Sequence, residues 1–118
     1  MADDIEASVA RALSALVGVD ARMEMPSDHP GQLIVVEMTS GERGLMKPVY
    51  LDVSCWAGEG AADRQAAESL ARAVSDALPS LDNTLGIFRA QVVDTSRLRD
   101  PSTRRMRYIL QVELTMVE

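Results

Sequence analysis

Near its C-terminus the chain places Met106, Tyr108, Leu110, Val112, Leu114 and Met116 at every second position, with Arg107, Gln111, Glu113 and Thr115 among the residues between them. A period of two sends alternate side chains to opposite faces of a strand, so this run demands a sheet with one buried face. Read from about Arg104 to Val117, it is about twice the usual strand length of ~5–6 residues. A core of the size this chain can build is not expected to cover all of it. The segment Leu85–Thr95 reads as its partner strand. Asp100-Pro101-Ser102-Thr103 between them is a strong turn signal, with proline at the second turn position. The last third is therefore a long β-hairpin.

The first two-thirds supply the layers around it. Ile5, Val9, Leu13, Leu16 and Val17 fall on one face at helical spacing, with Asp3 or Asp4 as cap, Glu6 in the first turn and Gly18 as the stop. Val19, Ala21, Met23 and Met25 alternate with other residues and predict a short strand, and Pro26–Gly31 is a loop by turn chemistry. Leu33–Thr39 is rich in branched residues, and Gly41-Glu42-Arg43-Gly44 reads as a hairpin turn. In the strand that follows, Val49, Leu51, Val53 and Cys55 share one face, and Tyr50, Asp52, Ser54 and Trp56 the other. Pro48, with no N–H to donate, belongs at the start of that strand or on an edge. A helix from Ala61 to Leu78 has the inner stripe Ala66, Ala67, Leu70, Val74, Ala77 and Leu78, and Pro79 ends it. One domain over residues 1–118 is expected, of α+β class: a largely antiparallel sheet with two helices packed on one face.

Little in the chain suggests catalysis. His29 is the only histidine and Cys55 the only cysteine, so neither a disulfide nor a thiolate or imidazole metal cluster can form. Cys55 lies on the apolar face of a strand, where a thiol behaves as a small hydrophobe. Gly58-Glu59-Gly60 is too short and too acidic to cradle phosphate. The carboxylates show no spacing that singles out an acid–base pair. The reading is a non-enzymatic protein with no cofactor and no metal. The start Met1-Ala2-Asp3-Asp4 lacks the basic and apolar features of a signal peptide, and Leu33–Val36 is far too short to span a bilayer. A soluble protein of a reducing cytoplasm, not exported and with no membrane partner, is expected.

Charge is distributed unevenly. The net charge is −6, which argues against free-standing electrostatic binding to nucleic acid. Residues 1–88 carry a net of −8, whereas residues 89–118 carry +2, with Arg89, Arg97, Arg99, Arg104, Arg105 and Arg107 as the cations. Five of these flank the hairpin turn. Like charges opposed across strands are unfavourable, so crowding them there points to an acidic partner surface, for instance a helix carrying Asp63, Glu68 and Asp76; a solvated arm is the competing reading. Aromatic residues are 3%, and the arginine-rich tip contains none in its turn to stack on bases. Trp56 and Tyr50, on the outer face of their strand, either anchor an interface or pack under a helix. The candidate assembly residues are thus Arg97, Arg99, Arg104, Arg105, Arg107 and Trp56.

Taken in order, these strings resemble the small tail-completion proteins of long-tailed bacteriophages and prophages, the tail terminator or tail-to-head joining family. The resemblance spans nearly the whole chain. It rests on Leu16-Val17-Gly18 closing the first helix, the loop Met25-Pro26-Ser27-Asp28-His29-Pro30, the strand Leu33-Ile34-Val35-Val36-Glu37, and Val53-Ser54-Cys55-Trp56-Ala57. It continues through Ala66-Ala67-Glu68-Ser69-Leu70-Ala71-Arg72-Ala73-Val74 and the stretch Arg97 to Tyr108 leading into the final strand. Gly31-Gln32 stands where relatives often have an aromatic residue. The resemblance implies a structural protein of the virion tail, assembled in the bacterial host cytoplasm as a homo-oligomeric ring, usually a hexamer. Such a ring caps the tail tube protein, joins it to the head connector or completion protein, and lets genomic DNA pass through its lumen without specific binding. The competing classes are a small intracellular α+β binding module that uses the sheet face and Trp56, and an enzyme that uses Cys55 and His29.

Overall fold

A computed structural model describes residues 4–25, 31–42, 44–57, 61–99, 101 and 104–117. Two helices, α1 (Ile5–Val17) and α2 (Ala61–Ala77), accompany five strands: β1 (Ala21–Arg22), β2 (Leu33–Gly41), β3 (Pro48–Trp56), β4 (Ile87–Arg99) and β5 (Met106–Met116). The strands form one sheet in the order β1-β2-β3-β5-β4, antiparallel except for the β1–β2 pair. Both helices pack on the same face, α1 over β1 and β2, α2 over β5 and β3, and they touch each other. The α+β architecture expected from the patterning is the one observed, including the long C-terminal β4–β5 hairpin.

Local chemistry accounts for the helix ends. The Asp4 carboxylate accepts hydrogen bonds from the N–H groups of Glu6 (3.0 Å) and Ala7 (3.5 Å), relieving two donors that the helix cannot satisfy itself. Gly18 closes α1 in the left-handed region and donates to the Ser14 carbonyl. Glu6 also reaches across to accept from Met38 N–H at 2.7 Å, tying α1 to β2. At the far end of α2, Pro79 converts the helix into a 3-10 turn over Leu78–Leu81. The buried stripe of α1 is narrower than its pattern: Ile5, Val9 and Leu13 are buried with Ser8 and Ala10, while Leu16 is 51% exposed. On α2, Ala71 joins Ala67, Leu70 and Val74 in the core, Leu78 follows from the 3-10 turn, and Ala66 and Ala77 lie at its margin.

The sheet's inner face carries the core. Ile34 and Val36 of β2, Val49, Leu51, Val53 and Cys55 of β3, and Leu110, Val112, Leu114 and Met116 of β5 are buried under the helices. Burial of each such aliphatic side chain contributes about 1.5–3 kcal/mol. Strand order corrects one expectation. Lying between β3 and β4 with α2 packed across it, β5 has its inner face buried from Met106 at 5% exposed to Met116 at 0%, with Tyr108 half-buried. The strand that outruns the core is β4, whose residues 93–99 are all exposed.

Other boundaries also shift. The alternation through Met25 yields only the two residues of β1, because after Arg22 the chain leaves the sheet edge and Met25 packs against Leu33, Val35 and Trp56 on the opposite face. The first hairpin turn moves outward, since β2 continues through Gly41 before the chain turns. Gly41 has φ +92, and a Cβ there would collide with the Pro48 carbonyl and lie 2.8 Å from Val49 Cα, so no other residue fits. Strand β4 begins at Ile87 instead of Leu85, since Asn83 and Leu85 both take left-handed backbone in the preceding turn. His29, Gly58-Glu59-Gly60 and three residues of the second turn, Asp100, Ser102 and Thr103, lie outside the described residues.

Candidate functional site

The arginines near the hairpin turn do not share one environment. Arg97, paired with Tyr108, and Arg99, paired with Met106, belong to the helix side of the sheet, on the edge strand beside the part of β5 that α2 covers. Arg104 is exposed, with φ 60, and its carbonyl accepts a 2.7 Å hydrogen bond from Arg99 Nη1, which closes the turn. Arg105 turns inward and is 8% exposed. Its Nε donates to the Ala57 carbonyl at 3.1 Å and its Nη2 to the Gly31 carbonyl at 3.1 Å. It therefore clasps the end of β3 to the segment entering β2. A buried guanidinium costs several kcal/mol unless its donors are satisfied, and these carbonyls provide part of that compensation.

Trp56 packs under arginine instead of under a helix. The Arg107 guanidinium lies 4.9 Å from the ring centroid and that of Arg105 lies 5.8 Å away. With Leu33 and Val35 the ring forms a small second core on the outer face. Arg107 Nε is buried there without a hydrogen-bond partner among the described residues.

The register sorts the outer face into rows across the strands. Leu98, Arg107, Trp56 and Leu33 form the row nearest the turn. Next come Ser96, Ile109, Ser54 and Val35, and then Asp94, Gln111, Asp52 and Glu37. Beyond them, Glu113 accepts hydrogen bonds from Tyr50 Oη (2.9 Å) and Gln91 Nε2 (3.0 Å). The Glu113 charge and that bond push the Tyr50 hydroxyl above its ordinary pKa of 10.0. The outer face thus runs from a buried apolar and cationic corner to an open acidic middle. Alternation alone put Asp52 on this face; that Glu37 and Asp94 join it in one row required the register.

Two features bear on chemistry. Cys55 is fully buried, and desolvation pushes its thiol from 9.0 up to about 12, so almost none is thiolate near neutrality. Among the described residues, no group of three or more His, Cys, Asp or Glu side chains is placed to hold a metal ion. Among the described residues no helix is long and apolar enough to cross a membrane. A shallow groove of about 290 Å³ lies between α2 and the distal part of the hairpin, bordered by Glu68, Arg72, Thr95 and Tyr108.

The family profile described as tail completion protein gp17 matches residues 7–116, from α1 to the last residue of β5. The chain belongs to this phage tail completion family. In fold, this tail completion protein is similar to a chain in a solved structure titled "Virion of native gene transfer agent (GTA) particle". The two share 22% sequence identity with a TM-score of 0.62, over 95% of this chain and 91% of that one. No curated protein matches the sequence. The family membership makes this tail completion protein a phage structural protein.

Proposed function

We propose that the protein is a non-enzymatic ring subunit, hexameric in the virion, that terminates the tail tube and joins it to the head connector. The observation that carries this reading is the family match, which includes the arginine-flanked hairpin as well as the core. In this reading the protein is made in the host cytoplasm and ends in the tail, contacting itself, the tail tube protein and the connector or completion protein. The DNA passes its lumen without specific binding, consistent with a net charge of −6, because a wall that bound phosphate tightly would impede passage. The assembly surface comprises Arg97, Arg99 and Arg104 directly. Arg105, Arg107 and Trp56 form the rigid base that holds the hairpin in place.

The test uses tails from lysates that lack this protein. Added back, the purified chain should stop tube growth at a defined length and restore head joining, seen by electron microscopy and infectivity. Tubes that overgrow and stay headless in its presence would refute the reading. Tubes that stop but do not join heads would assign it to termination alone.

A further inference from the structure

We infer that the open outer face of the sheet, along the row Asp94, Gln111, Asp52 and Glu37, receives the arginine-bearing end of the hairpin from a second copy of the chain. This rests on the assembly role proposed above and names the surface that the arginines meet.

Three observations converge. First, Glu37 and Asp52 are direct cross-strand partners on an open face. Like charges so placed repel, and no salt bridge to Glu37, Asp52 or Asp94 is found among the described residues. The sheet tolerates this repulsion where a cationic partner would convert it to attraction. The alternative acceptor, α2, is less suited: Glu68 is already bridged to Arg72 at 2.8 Å, and Arg64 lies on the same helix.

Second, the two surfaces cannot meet within one subunit. Arg97 and Arg99 belong to the helix side of the sheet, and the acidic row belongs to the other side. A contact joining the helix side of one copy to the outer face of the next is head-to-tail. Repeated, it closes into a ring or runs on as a filament, but does not stop at a symmetric dimer.

Third, the hairpin end has the reach and freedom to dock. From Thr95 to Arg99 the exposed part of β4 extends roughly 13 Å at ~3.3 Å per residue, along the open edge of the sheet. The first half of the β4 edge is a poor site for strand addition. Asp82 Oδ1 already occupies the outward N–H of Ala90 at 2.8 Å, and the register breaks between Ile87 and Arg89 and between Val92 and Asp94. Along the distal half it is the side-chain charge of the arginines that complements the acidic row.

The experiment uses two full-length variants, R97E/R104E and E37K/D52K, both at exposed or half-exposed positions, with folding checked by circular dichroism. Sedimentation equilibrium and native mass spectrometry follow self-association of each at low salt. The wild-type chain should associate, less so as salt rises. Each variant alone should associate at least about tenfold more weakly. An equimolar mixture should recover assemblies with an even number of alternating subunits, since each reversed surface then meets an opposite charge. If E37K/D52K associates like wild type while R97E/R104E does not, the arginines meet another surface; the inference falls and the assembly role stands. If R97E/R104E also associates normally, the inference falls together with the assembly contact assigned to Arg97 and Arg104, and the tail-capping assay decides the ring role. A wild-type chain that stays monomeric at every concentration overturns the inference, because the contact needs no other component, and the tail-capping assay still decides the proposed function.

Discussion

Arg104 and Arg105 are adjacent in the chain and opposite in role. One is an exposed turn residue; the other is a buried clasp between the Ala57 and Gly31 carbonyls. Replacing Arg105 with Glu would bury a carboxylate against two carbonyl oxygens. We expect that change to cost about 3–5 kcal/mol, the usual penalty for breaking a buried charge contact, read as a large fall in the urea midpoint. Assembly defects of any variant at this position therefore report on folding, whereas Arg97 and Arg104 can be reversed without that confusion. Cys55 gives a second test at this scale. With its thiol raised from 9.0 to about 12, native protein at pH 8 should resist thiol reagents, labelling only on unfolding. The sign of the pH effect follows. The raised value contributes stability that is complete below pH 9.0 and lost as pH climbs toward 12, so alkaline denaturation should steepen in that window. A Cys55→Ser variant would lack this component.

Among the elements, the β2–β3 connection depends on one position. Gly41 combines a left-handed backbone with the close approach of Pro48 and Val49. Gly41→Ala should cost roughly 2–4 kcal/mol from steric overlap and backbone strain together. Thermal denaturation would show this, and a midpoint unchanged within a degree would contradict the geometry. The hairpin shows the opposite economy. Strand β5 is an interior strand and β4 an edge, so the same hairpin has one side committed to the core and one free for contact. From the sequence, the apolar period of β5 was visible but its neighbours were not, and the excess length was assigned to the wrong strand.

On the scale of the whole molecule, the extents are 43 × 25 × 23 Å, a long body with arginines toward one end and helices on one side. Head-to-tail use of such a body, through charges at the surface, makes assembly sensitive to ionic strength. Capping of purified tail tubes should weaken as salt rises and should be lost in R97E/R104E with the fold intact. Normal rings that no longer join heads would place the hairpin on the docking surface toward the connector. Capping indifferent to both changes would leave the arginines as a solvated arm.

Fold class, the buried faces of β3 and β5, the cap and stop of α1, and the break at Pro79 were determined by sequence alone. Each depends on spacing or on the chemistry of one or two neighbouring residues, and such information is local. Strand order and register belong to the tertiary structure, because they join segments far apart in the chain, and a slip of one residue exchanges the faces. The arginine cluster was therefore legible as a composition of one segment. Its division into an inward clasp, a cover for Trp56 and an outward-facing set was not. Nor was the row of Glu37, Asp52 and Asp94, which exists only because three separate strands align there.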